Sequence, residues 1–344
     1  MGNLKNLPNS NKKGWPWSEE VDPSIYDATL TWPKITIVTP SYNQGQYIEE
    51  TIRSIVLQNY PNLEYILMDG GSNDSTIDIL NQYKSFFTIC VSEKDEGQSD
   101  ALVKGFNMAS GDYMNWINSD DILSKMGLYY IAKAIMNHPE ANFIHGRNGI
   151  MTIDSELYSY MPHPDDFLNL RYIYEMPYGQ QACFFSRKLY NNCGGINKDI
   201  RFSMDYELYL RMHLYGTTTA RISDLIGCIR IHDNTKTAQL EHIMRLENGN
   251  AFMTFLQSSG EIKKSQFFKS IGHIPYNPYN IKIPLNPRFI RQTFVAYLKK
   301  NIWYYFNVNQ KRIAAKMAMQ IMKYEPASMT NKDYLKIIKD AITS

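Results

Sequence analysis

Two adjacent carboxylates, Asp120 and Asp121, follow an apolar run over residues 113–117 that is typical of a buried strand. A buried strand that ends in Asp-Asp carries two anionic groups to the rim of a sheet. Crevices at the carboxyl ends of parallel strands are where α/β proteins bind ligands. Carboxylate oxygens at such a rim suit Mg²⁺ or Mn²⁺ that bridges to a phosphate. Acidic loop tips are also often merely solvated, so a plain surface loop is the alternative.

Aspartates also follow the second and third apolar runs. Asp69 comes directly after the second run and precedes a pair of glycines, which allow a ligand or a backbone to approach closely. Ser72 or Asp74 can cap the following helix, which leaves the Asp69 carboxylate available to accept a hydrogen bond from a base N–H. Asp95 or Asp100 follows the third run. The crevice rule predicts that all these carboxylates converge on one edge of the sheet.

The first apolar run ends in a small polar turn, residues 39–45, before a helical pattern begins. Backbone N–H groups at a helix start favour a phosphate or a nucleotide edge. The segment matches neither the dinucleotide fingerprint G-x-G-x-x-G nor a P-loop, and an ordinary strand-to-helix turn is the alternative.

The elements that must position these residues alternate between strand and helix from Lys34 onward. Strands are predicted at 35–39, 63–68, 86–91, 113–117 and 142–150, and helices at 46–58, 75–83, 99–108 and 126–136. Strict β-α alternation of this kind predicts an α/β fold with a parallel, doubly wound sheet.

The pattern loosens after Ile150. We predict an edge strand at 156–161, a short helix at 165–174, a helix at 204–214 and two short strands at 220–222 and 226–231. From residue 237 the chain reads as mainly helical, with a Pro- and Asn-rich linker at 274–287. The predicted domains are an irregular arm (1–33), an α/β domain (34–236) and a helical, basic C-terminal region (237–344).

In their order and spacing, several segments resemble family 2 glycosyltransferases of the GT-A fold. The matching segments are 37–43, 68–76, 92–97, 109–112, 118–121, 181–185, 194–196, 205–211 and 230–232. The resemblance extends over about residues 33–232. It is greatest for the O-antigen and capsule branch, which carries Asp-Gly-Gly-Ser after the second strand. It implies a Rossmann-like, mostly parallel sheet, followed here by a helical C-terminal extension.

The resemblance assigns donor-binding positions. They are Pro40, Ser41, Tyr42, Asp69, Asp100, Asn118 and Ser119. Asp69 would face the edge of the nucleotide base, and Asp100 and Ser119 would lie near the ribose. Asn118 replaces the first aspartate of the family's D-x-D motif, and Val103 stands where a polar Asn is usual.

The resemblance also assigns a metal site and a base. Asp120 would bind Mn²⁺ or Mg²⁺ on the diphosphate, together with His232, and Asp205 would be the catalytic base. An inverting transfer needs one carboxylate to remove the acceptor proton and a cation to neutralise the leaving group. Met204 replaces the acidic residue that often precedes the base. The alternatives are a first-turn Asp205 favoured by the helix dipole and a merely hydrogen-bonded or exposed His232.

Composition indicates a protein of the cytoplasm. The 344 residues can bury a large core, and the four cysteines show no zinc spacing, so we expect free thiols in a reducing compartment. No signal peptide is visible at the N-terminus, and no apolar run is long enough to span a bilayer.

Charge is distributed unevenly along the chain. Residues 262–324 carry twelve Lys or Arg and no Asp or Glu, whereas the whole chain has a net charge of +2. This basic region interleaves aromatic residues, which is typical of contact with an anionic membrane surface. We therefore expect a peripheral protein at the inner face of the membrane. A soluble helical cap is the alternative, and no recognition motif favours nucleic acid.

These observations predict an inverting glycosyltransferase. It would move a sugar from a nucleoside-diphosphate sugar, UDP-sugar being favoured, to a saccharide or lipid-linked acceptor in bacterial surface polysaccharide synthesis. A sugar-nucleotide nucleotidyltransferase is one alternative, although residues 39–45 lack the basic residue that a triphosphate loop needs. A non-catalytic nucleotide- or glycan-binding module is the other.

Overall fold

The computed structural model describes residues 2–161, 163, 173–174, 176, 178–232 and 241–343. The chain divides into two compact units. One comprises Met1–Asp165 and Pro177–Met244, and the other comprises Asp166–Met176 and Arg245–Ser344.

The described residues of the first unit form one mixed sheet with helices on it. Its strands are β1 (Ile35–Ser41), β2 (Leu63–Asp69), β3 (Ile89–Ser92), β4 (Tyr113–Trp116), β5 (Ile122–Leu123), β6 (Phe143–Met151), β7 (Leu157–Tyr160), β8 (Cys183–Ser186) and β9 (Thr219–Arg230). Its helices are α1 (Ile48–Val56), α2 (Thr76–Gln82), α3 (Gln98–Met108), α4 (Gly127–Asn137), α5 (Arg187–Asn192) and α6 (Met204–Tyr215). Short 3-10 helices span Leu4–Asn6, Pro23–Ile25, Lys84–Phe86 and Gln180–Ala182.

The strand order is β3-β2-β1-β4-β8-β6-β9-β5, and β7 pairs with β6. The first four strands of this order are parallel to one another. Further along, β8 is antiparallel to both of its neighbours, and β9 returns parallel to β6. The parallel half follows the predicted β-α alternation as far as β4. The strand predicted at 142–150 is β6, which lies in the mixed half and is antiparallel to its neighbour β8.

The parallel half has a buried centre, because β1, β2 and β4 are covered on both faces, whereas the edge strand β3 is partly exposed. Every residue of β1 is buried, which is typical of a strand covered by helices on both sides. On one side, α1 packs Ile48, Ile52 and Ile55 into the main core, and these residues recur at helical spacing. This packing fixes where the strand ends lie, and therefore where the polar residues after them lie.

The N-terminal arm is packed against this unit. Leu7, Val21 and Trp32 belong to its core. The Trp15 indole Nε1 donates to the Leu123 carbonyl at 2.9 Å, and the Val21 N–H donates to the Leu57 carbonyl at 2.9 Å. The arm has little regular structure, but it covers α1 and β5.

The prediction of two short strands at 220–222 and 226–231 is wrong. A single strand, β9, spans Thr219–Arg230. The polar residues Ser223 and Asp224 interrupt the apolar pattern, but a register shift opposite Arg147 absorbs the extra residues and pairing with β6 continues. The third strand is also shorter than predicted, because Lys84–Phe86 forms a 3-10 helix. The predicted helix at 165–174 lies mostly outside the described residues.

The second unit is helical in its described residues. It contains the part of α7 (Glu241–Ser258) from Arg245 onward, then α8 (Ile262–Ser270), α9 (Pro287–Asn307), α10 (Lys311–Tyr324) and α11 (Lys332–Ile342). Its core is aromatic: Phe252 stacks on Tyr297 with ring centroids 4.3 Å apart. Asn286 caps α9 by accepting from the Phe289 N–H at 2.7 Å, and Pro287 follows at the first helical position.

Cys90, Cys183, Cys193 and Cys228 form no disulfide bond, as predicted. Within the described ranges, no helix combines the length and the apolar character needed to cross a bilayer.

Candidate active site

The sheet order creates a crevice at the carboxyl ends of β1 and β4. β1 lies between β2 and β4, so the chain turns to opposite sides of β1 after successive units, and ligands bind at such switch points. In the register, Ser41 lies opposite Asp69, and Val38 lies opposite Trp116. The predicted donor residues after β1, β2 and β4 therefore share one edge of the sheet. Beside them, the ring of Tyr42 is 58% exposed.

Asp69 is buried, and its carboxylate accepts hydrogen bonds from the loop that follows it and from β3. Its carboxylate accepts from the Gly71 N–H at 3.1 Å, the Ser72 N–H at 2.9 Å, the Ser72 hydroxyl at 2.5 Å and the Ser92 hydroxyl at 2.6 Å. The residue is only 2% exposed. Gly71 has φ +80°, a conformation that side chains rarely adopt, so the glycine is required for this loop. We expected the Asp69 carboxylate to be available to a ligand, but in the structure it stabilises the loop after β2.

The turn after β1 is held by the same loop. The N–H groups of Asn43, Gln44 and Gly45 donate to the side chains of Ser72, Thr76 and Asp74, at 2.7, 2.9 and 3.0 Å. The expectation that these N–H groups face a phosphate is therefore wrong for this conformation. Their donors already have acceptors.

Asp120 and His232 meet at the carboxyl end of β4. The imidazole Nε2 of His232 lies 3.2 Å from Asp120 Oδ2, and the imidazole packs on the ring of Tyr47 with centroids 4.8 Å apart. The Asp120 side chain is 23% exposed. The other ring nitrogen of His232, Nδ1, is buried and has no hydrogen-bond partner in the described part of the chain. The structure thus brings together the two residues predicted as metal ligands.

This pair fits a divalent cation that is shared with a substrate. Mg²⁺ is usually held by one or two protein carboxylates plus phosphate oxygens, and imidazole and carboxylate both bind Mn²⁺. Among the described residues, no group of three His, Cys, Asp or Glu side chains could hold a metal by itself. A cation at Asp120 and His232 would therefore take its remaining ligands from phosphate and water.

Asp121 has a different environment from its neighbour. Its carboxylate accepts from Gln181 Nε2 at 2.6 Å, from Asn118 Nδ2 at 3.0 Å and from the Arg230 N–H at 2.9 Å. Burial, followed by the charge of Asp120, raises the pKa of Asp121 to about 8. Asp121 therefore holds the loop after β4 from inside the protein, whereas the Asp120 side chain is partly exposed.

Arg230 connects the segments around Asp120. Its guanidinium is buried and donates to the Asp120 carbonyl at 2.8 Å, to Ser155 Oγ at 2.8 Å and to Glu50 Oε2 at 3.0 Å. The guanidinium also lies over the ring of Tyr47, 5.1 Å from its centroid. One side chain thus ties α1, the loop after β4 and the β6–β7 turn to the end of β9. His232 follows two residues later.

The remaining donor residues lie around the same loop. Asn118 Oδ1 accepts from Gln98 Nε2 at 2.7 Å, which links the loop after β4 to the start of α3, and Ser119 is buried. Asp100, on α3, pairs with Lys104 at 3.2 Å. Hydrogen bonding from the Glu96 N–H, followed by Lys104, lowers the pKa of Asp100. It is therefore an ionised acceptor near neutral pH.

Asp205 lies in the first turn of α6, where its carboxylate accepts from the Tyr206 N–H at 2.7 Å. One turn later, Tyr209 packs against Trp116 at the end of β4, with centroids 6.1 Å apart. Burial, followed by the charge of Asp205, raises the pKa of the Cys183 thiol at the start of β8. The helix therefore directs Asp205 toward the end of the sheet where β4 and β8 meet.

Comparisons with known proteins agree with this geometry. Residues 36–195 match the family Glycosyl transferase family 2. The chain is 27% identical over 300 residues to an uncharacterized glycosyltransferase of Rickettsia typhi, and the match covers 79% of this chain and 91% of that relative. It is 37% identical over 92 residues to TuaG of Bacillus subtilis, covering 26% of this chain and 36% of TuaG, which is named as a teichuronic acid biosynthesis glycosyltransferase.

The protein is a glycosyltransferase, and the family 2 model matches its residues 36–195. The structure of this glycosyltransferase resembles the crystal structure of S. aureus TarS 1–349 in complex with UDP, with a TM-score of 0.60 and 16% identity. That match covers 90% of this chain and 88% of the TarS chain. At this identity the likeness concerns the fold alone. The predicted GT-A fold with a helical C-terminal region is confirmed. The assignment to an O-antigen and capsule branch stays a prediction.

In this glycosyltransferase, the roles of Arg230, Glu50 and Tyr47 did not follow from the sequence. One signal was present, because Arg230 and His232 stand two residues apart at the end of an apolar strand, and a charged residue there is seldom buried without a partner. Glu50 carried no such signal. It lies on the buried face of α1, where only the tertiary structure supplies Arg230.

Proposed function

We propose that the protein is an inverting glycosyltransferase that moves a sugar from a nucleoside-diphosphate sugar, with UDP-sugar favoured, to a saccharide or lipid-linked acceptor. The observation that carries this proposal is the Asp120–His232 pair, 3.2 Å apart, at the switch point of a family 2 domain. The likeness to a UDP-bound TarS fold and to a teichuronic acid biosynthesis glycosyltransferase supports UDP and a role in bacterial surface polysaccharide synthesis.

In the proposed donor site, the exposed ring of Tyr42 packs on the nucleotide base beside Pro40 and Ser41. Asp69 faces the base edge and exchanges one of its serine hydrogen bonds for a base N–H. The ionised Asp100, with Asn118 and Ser119, binds the ribose. Residues 34–236 form the catalytic domain in this proposal.

In the proposed reaction, Asp205 accepts the proton of the acceptor hydroxyl as that oxygen attacks C1 of the donor sugar. The new C1–O bond forms on the face opposite the bond that breaks, so the configuration at C1 inverts and the nucleoside diphosphate leaves. When bound at Asp120 and His232, Mn²⁺ or Mg²⁺ supplies Lewis-acid neutralisation of the charge that develops on the diphosphate. Arg230 keeps the Asp120 loop and the His232 segment in register while this happens.

A thermal-shift panel tests the proposal. UDP, GDP, CDP and dTDP are each added to the intact protein with Mn²⁺ or with EDTA. A ligand that binds only the folded state stabilises it, by about 2.7 kcal/mol at a hundred times its Kd. We expect UDP to stabilise most, and only with Mn²⁺. Release of UDP from UDP-sugars in the presence of acceptor then distinguishes an enzyme from a nucleotide-binding module. No response to any nucleotide would refute the proposal.

We also propose that the helical region contacts an anionic membrane surface through residues 262–324. Lys263, Lys269, Arg288 and Arg291 are exposed within this region, and Trp303 is partly exposed on α9. Co-sedimentation with vesicles tests this contact. Binding is expected with phosphatidylglycerol-containing vesicles at low salt, and not with pure phosphatidylcholine or at high salt. Equal binding to both vesicle types would contradict it.

A further inference from the structure

The β6–β7 hairpin carries a group of exposed apolar side chains. Leu157, Tyr158 and Tyr160, on β7, are 46%, 78% and 47% exposed. Exposed apolar side chains that occur in a group mark binding surfaces more often than isolated ones do. We refer to Leu157, Tyr158 and Tyr160 as the tyrosine stripe.

The sheet register places the stripe beyond the carboxyl end of β4. β9 pairs with β6 along its whole length and so occupies one edge of β6. β8 and β7 must therefore share the other edge, with β8 opposite Phe143–His145 and β7 opposite Gly149–Met151. β8 also pairs with β4. β7 thus continues the line of β8 past the end of β4, on the side of the sheet edge where Asp120 lies.

The turn of the hairpin is anchored to the candidate active site. Arg230 donates to the Ile153 carbonyl at 2.9 Å and to Ser155 Oγ at 2.8 Å, and the same guanidinium holds the Asp120 carbonyl. Tyr158 follows Ser155 by three residues, which is about 10 Å along an extended chain. The tyrosine stripe therefore begins close enough to the Asp120 site for a short oligosaccharide to reach both.

Two local features present the tyrosine rings. Leu157 pairs with Met151 and Ser159 with Ile150, so Tyr158 is the extra residue of a β-bulge. Bulges beside active sites commonly re-aim a side chain. Across the hairpin, the guanidinium of the exposed Arg147 lies 4.3 Å from the ring centroid of Tyr160 and covers one of its faces.

We propose that the tyrosine stripe binds the saccharide part of the acceptor, which deepens the proposed function and rests on it. One face of a pyranose ring presents C–H groups that carry partial positive charge, and the faces of Tyr158 and Tyr160 carry the opposite sign. Arg147 and Glu156 lie beside the stripe and offer hydrogen bonds to sugar hydroxyls. The exposed carboxylates of Asp154 and Glu156 would repel an anionic lipid surface, so a glycan fits the tyrosine stripe better than a membrane does.

The experiment compares three forms of the intact protein on an array of bacterial surface oligosaccharides. They are the wild type, the double variant Y158A/Y160A and the control Y158F/Y160F. We expect the wild type to bind a subset of glycans, the alanine variant to lose at least about tenfold in affinity, and the phenylalanine variant to bind as the wild type does. A tenfold loss of affinity corresponds to about 1.4 kcal/mol of binding free energy.

A donor measurement separates this proposal from the proposed function. Stabilisation by UDP with Mn²⁺ should be equal in all three forms, since the stripe does not touch the donor. If UDP stabilises none of them, the proposed function fails whatever the array shows. The stripe proposal is overturned if the wild type binds no glycan, or if the alanine variant binds as well as the wild type. It is also overturned if light scattering shows a wild-type dimer that the alanine variant dissociates, because the stripe would then be a self-interface.

Discussion

The loops after β2 and β4 both present an aspartate at the same edge of the sheet, yet the two carboxylates differ in how many hydrogen bonds they accept from the protein. Asp69 accepts four hydrogen bonds from its own loop and from Ser92, and it is 2% exposed. In the described part of the chain, the polar partner of the Asp120 carboxylate is His232, 3.2 Å away, and the Asp120 side chain is 23% exposed. A carboxylate accepts about four hydrogen bonds, so the first is filled and the second is open.

The sequence alone does not distinguish the roles of Asp69 and Asp120, but their hydrogen bonds do. A filled carboxylate stabilises the loop that holds it, and its loss is felt in folding. An open carboxylate contributes little to the fold, and its loss is felt in ligand binding. Substitutions of filled and open carboxylates can therefore separate effects on folding from effects on ligand binding.

We expect Asp205→Asn to lower sugar transfer by about 10²- to 10⁴-fold, the usual contribution of a general base. The amide keeps the shape of the side chain but cannot take the acceptor proton. UDP with Mn²⁺ should still stabilise the variant as it does the wild type. Turnover measured by UDP release, with melting temperature as the control, checks this prediction. Wild-type turnover in the variant would remove Asp205 from the base role.

We expect Arg230→Met to destabilise the fold by about 3 to 5 kcal/mol, because it leaves Glu50 charged and buried without its partner. The double variant Glu50→Gln/Arg230→Met should recover part of that loss. Denaturant unfolding gives both free energies. If the double variant retains the wild-type stability but loses stabilisation by UDP with Mn²⁺, then Arg230 positions the Asp120 loop as well as pairing with Glu50. Additive losses would show that the pair is not coupled.

Asp120→Asn and Asp69→Asn form a matched pair of substitutions. Asp120→Asn should abolish the Mn²⁺-dependent part of UDP stabilisation and change the free energy of unfolding by less than about 0.5 kcal/mol. Asp69→Asn should lower the free energy of unfolding by about 1 to 3 kcal/mol, because the amide nitrogen cannot accept from Ser72 or Ser92. Urea unfolding and thermal shift on the same samples compare the two. If instead Asp120→Asn lowers the free energy of unfolding and Asp69→Asn leaves it unchanged, the hydrogen bonds of Asp69 do not stabilise its loop.

The features that could be predicted from the sequence are those that depend on local patterns. The apolar runs of β1, β2 and β4 alternate with helices, and that alternation is enough to place Asp69 and Asp120 on one edge. The hydrogen bonds that distinguish the two carboxylates could not be predicted this way. Ser92, which completes the Asp69 site, belongs to a different strand.

The unpredicted parts of the site depend on long-range pairing in the mixed half of the sheet. Arg230 pairs with Glu50, which lies 180 positions earlier in the chain. The two side chains meet because the pairing of β9 with β6 places the end of β9 beside α1. Ser223 and Asp224 interrupt the apolar pattern of β9, so the sequence does not predict one continuous strand. The β-bulge that accommodates them forms only when β9 is paired. His232 follows two residues after the end of β9, and its approach to Asp120 was expected from the family resemblance and not from spacing.

The two ends of β2 offer the smallest test of the same principle. Glu64, near the amino end, is as filled as Asp69. It accepts from Lys34 Nζ at 2.8 Å, from the Ser110 N–H at 2.7 Å and from the Thr36 hydroxyl at 2.6 Å. Burial alone would raise the pKa of Glu64, but these hydrogen bonds outweigh it and hold the pKa at about 2. Unlike Asp69, Glu64 lies at the edge of the sheet away from the crevice.

A carboxylate whose pKa is lower in the folded state than in the unfolded state stabilises the fold above its unfolded pKa, here near 4.5, and that stability is lost as the pH falls toward 2. We therefore expect Glu64→Gln to lower the free energy of unfolding by about 1 to 2 kcal/mol at pH 7, after solvent screening. The difference from the wild type should shrink as the pH falls from 4.5 to 2 and vanish below pH 2, because Glu64 is then protonated in the folded state and offers hydrogen bonds similar to those of Gln. Urea unfolding across this pH range measures the effect, and UDP binding at pH 7 should not change. A weaker UDP response in Glu64→Gln would show that filled carboxylates at either end of a strand affect the crevice, and the separation drawn between Asp69 and Asp120 would not hold.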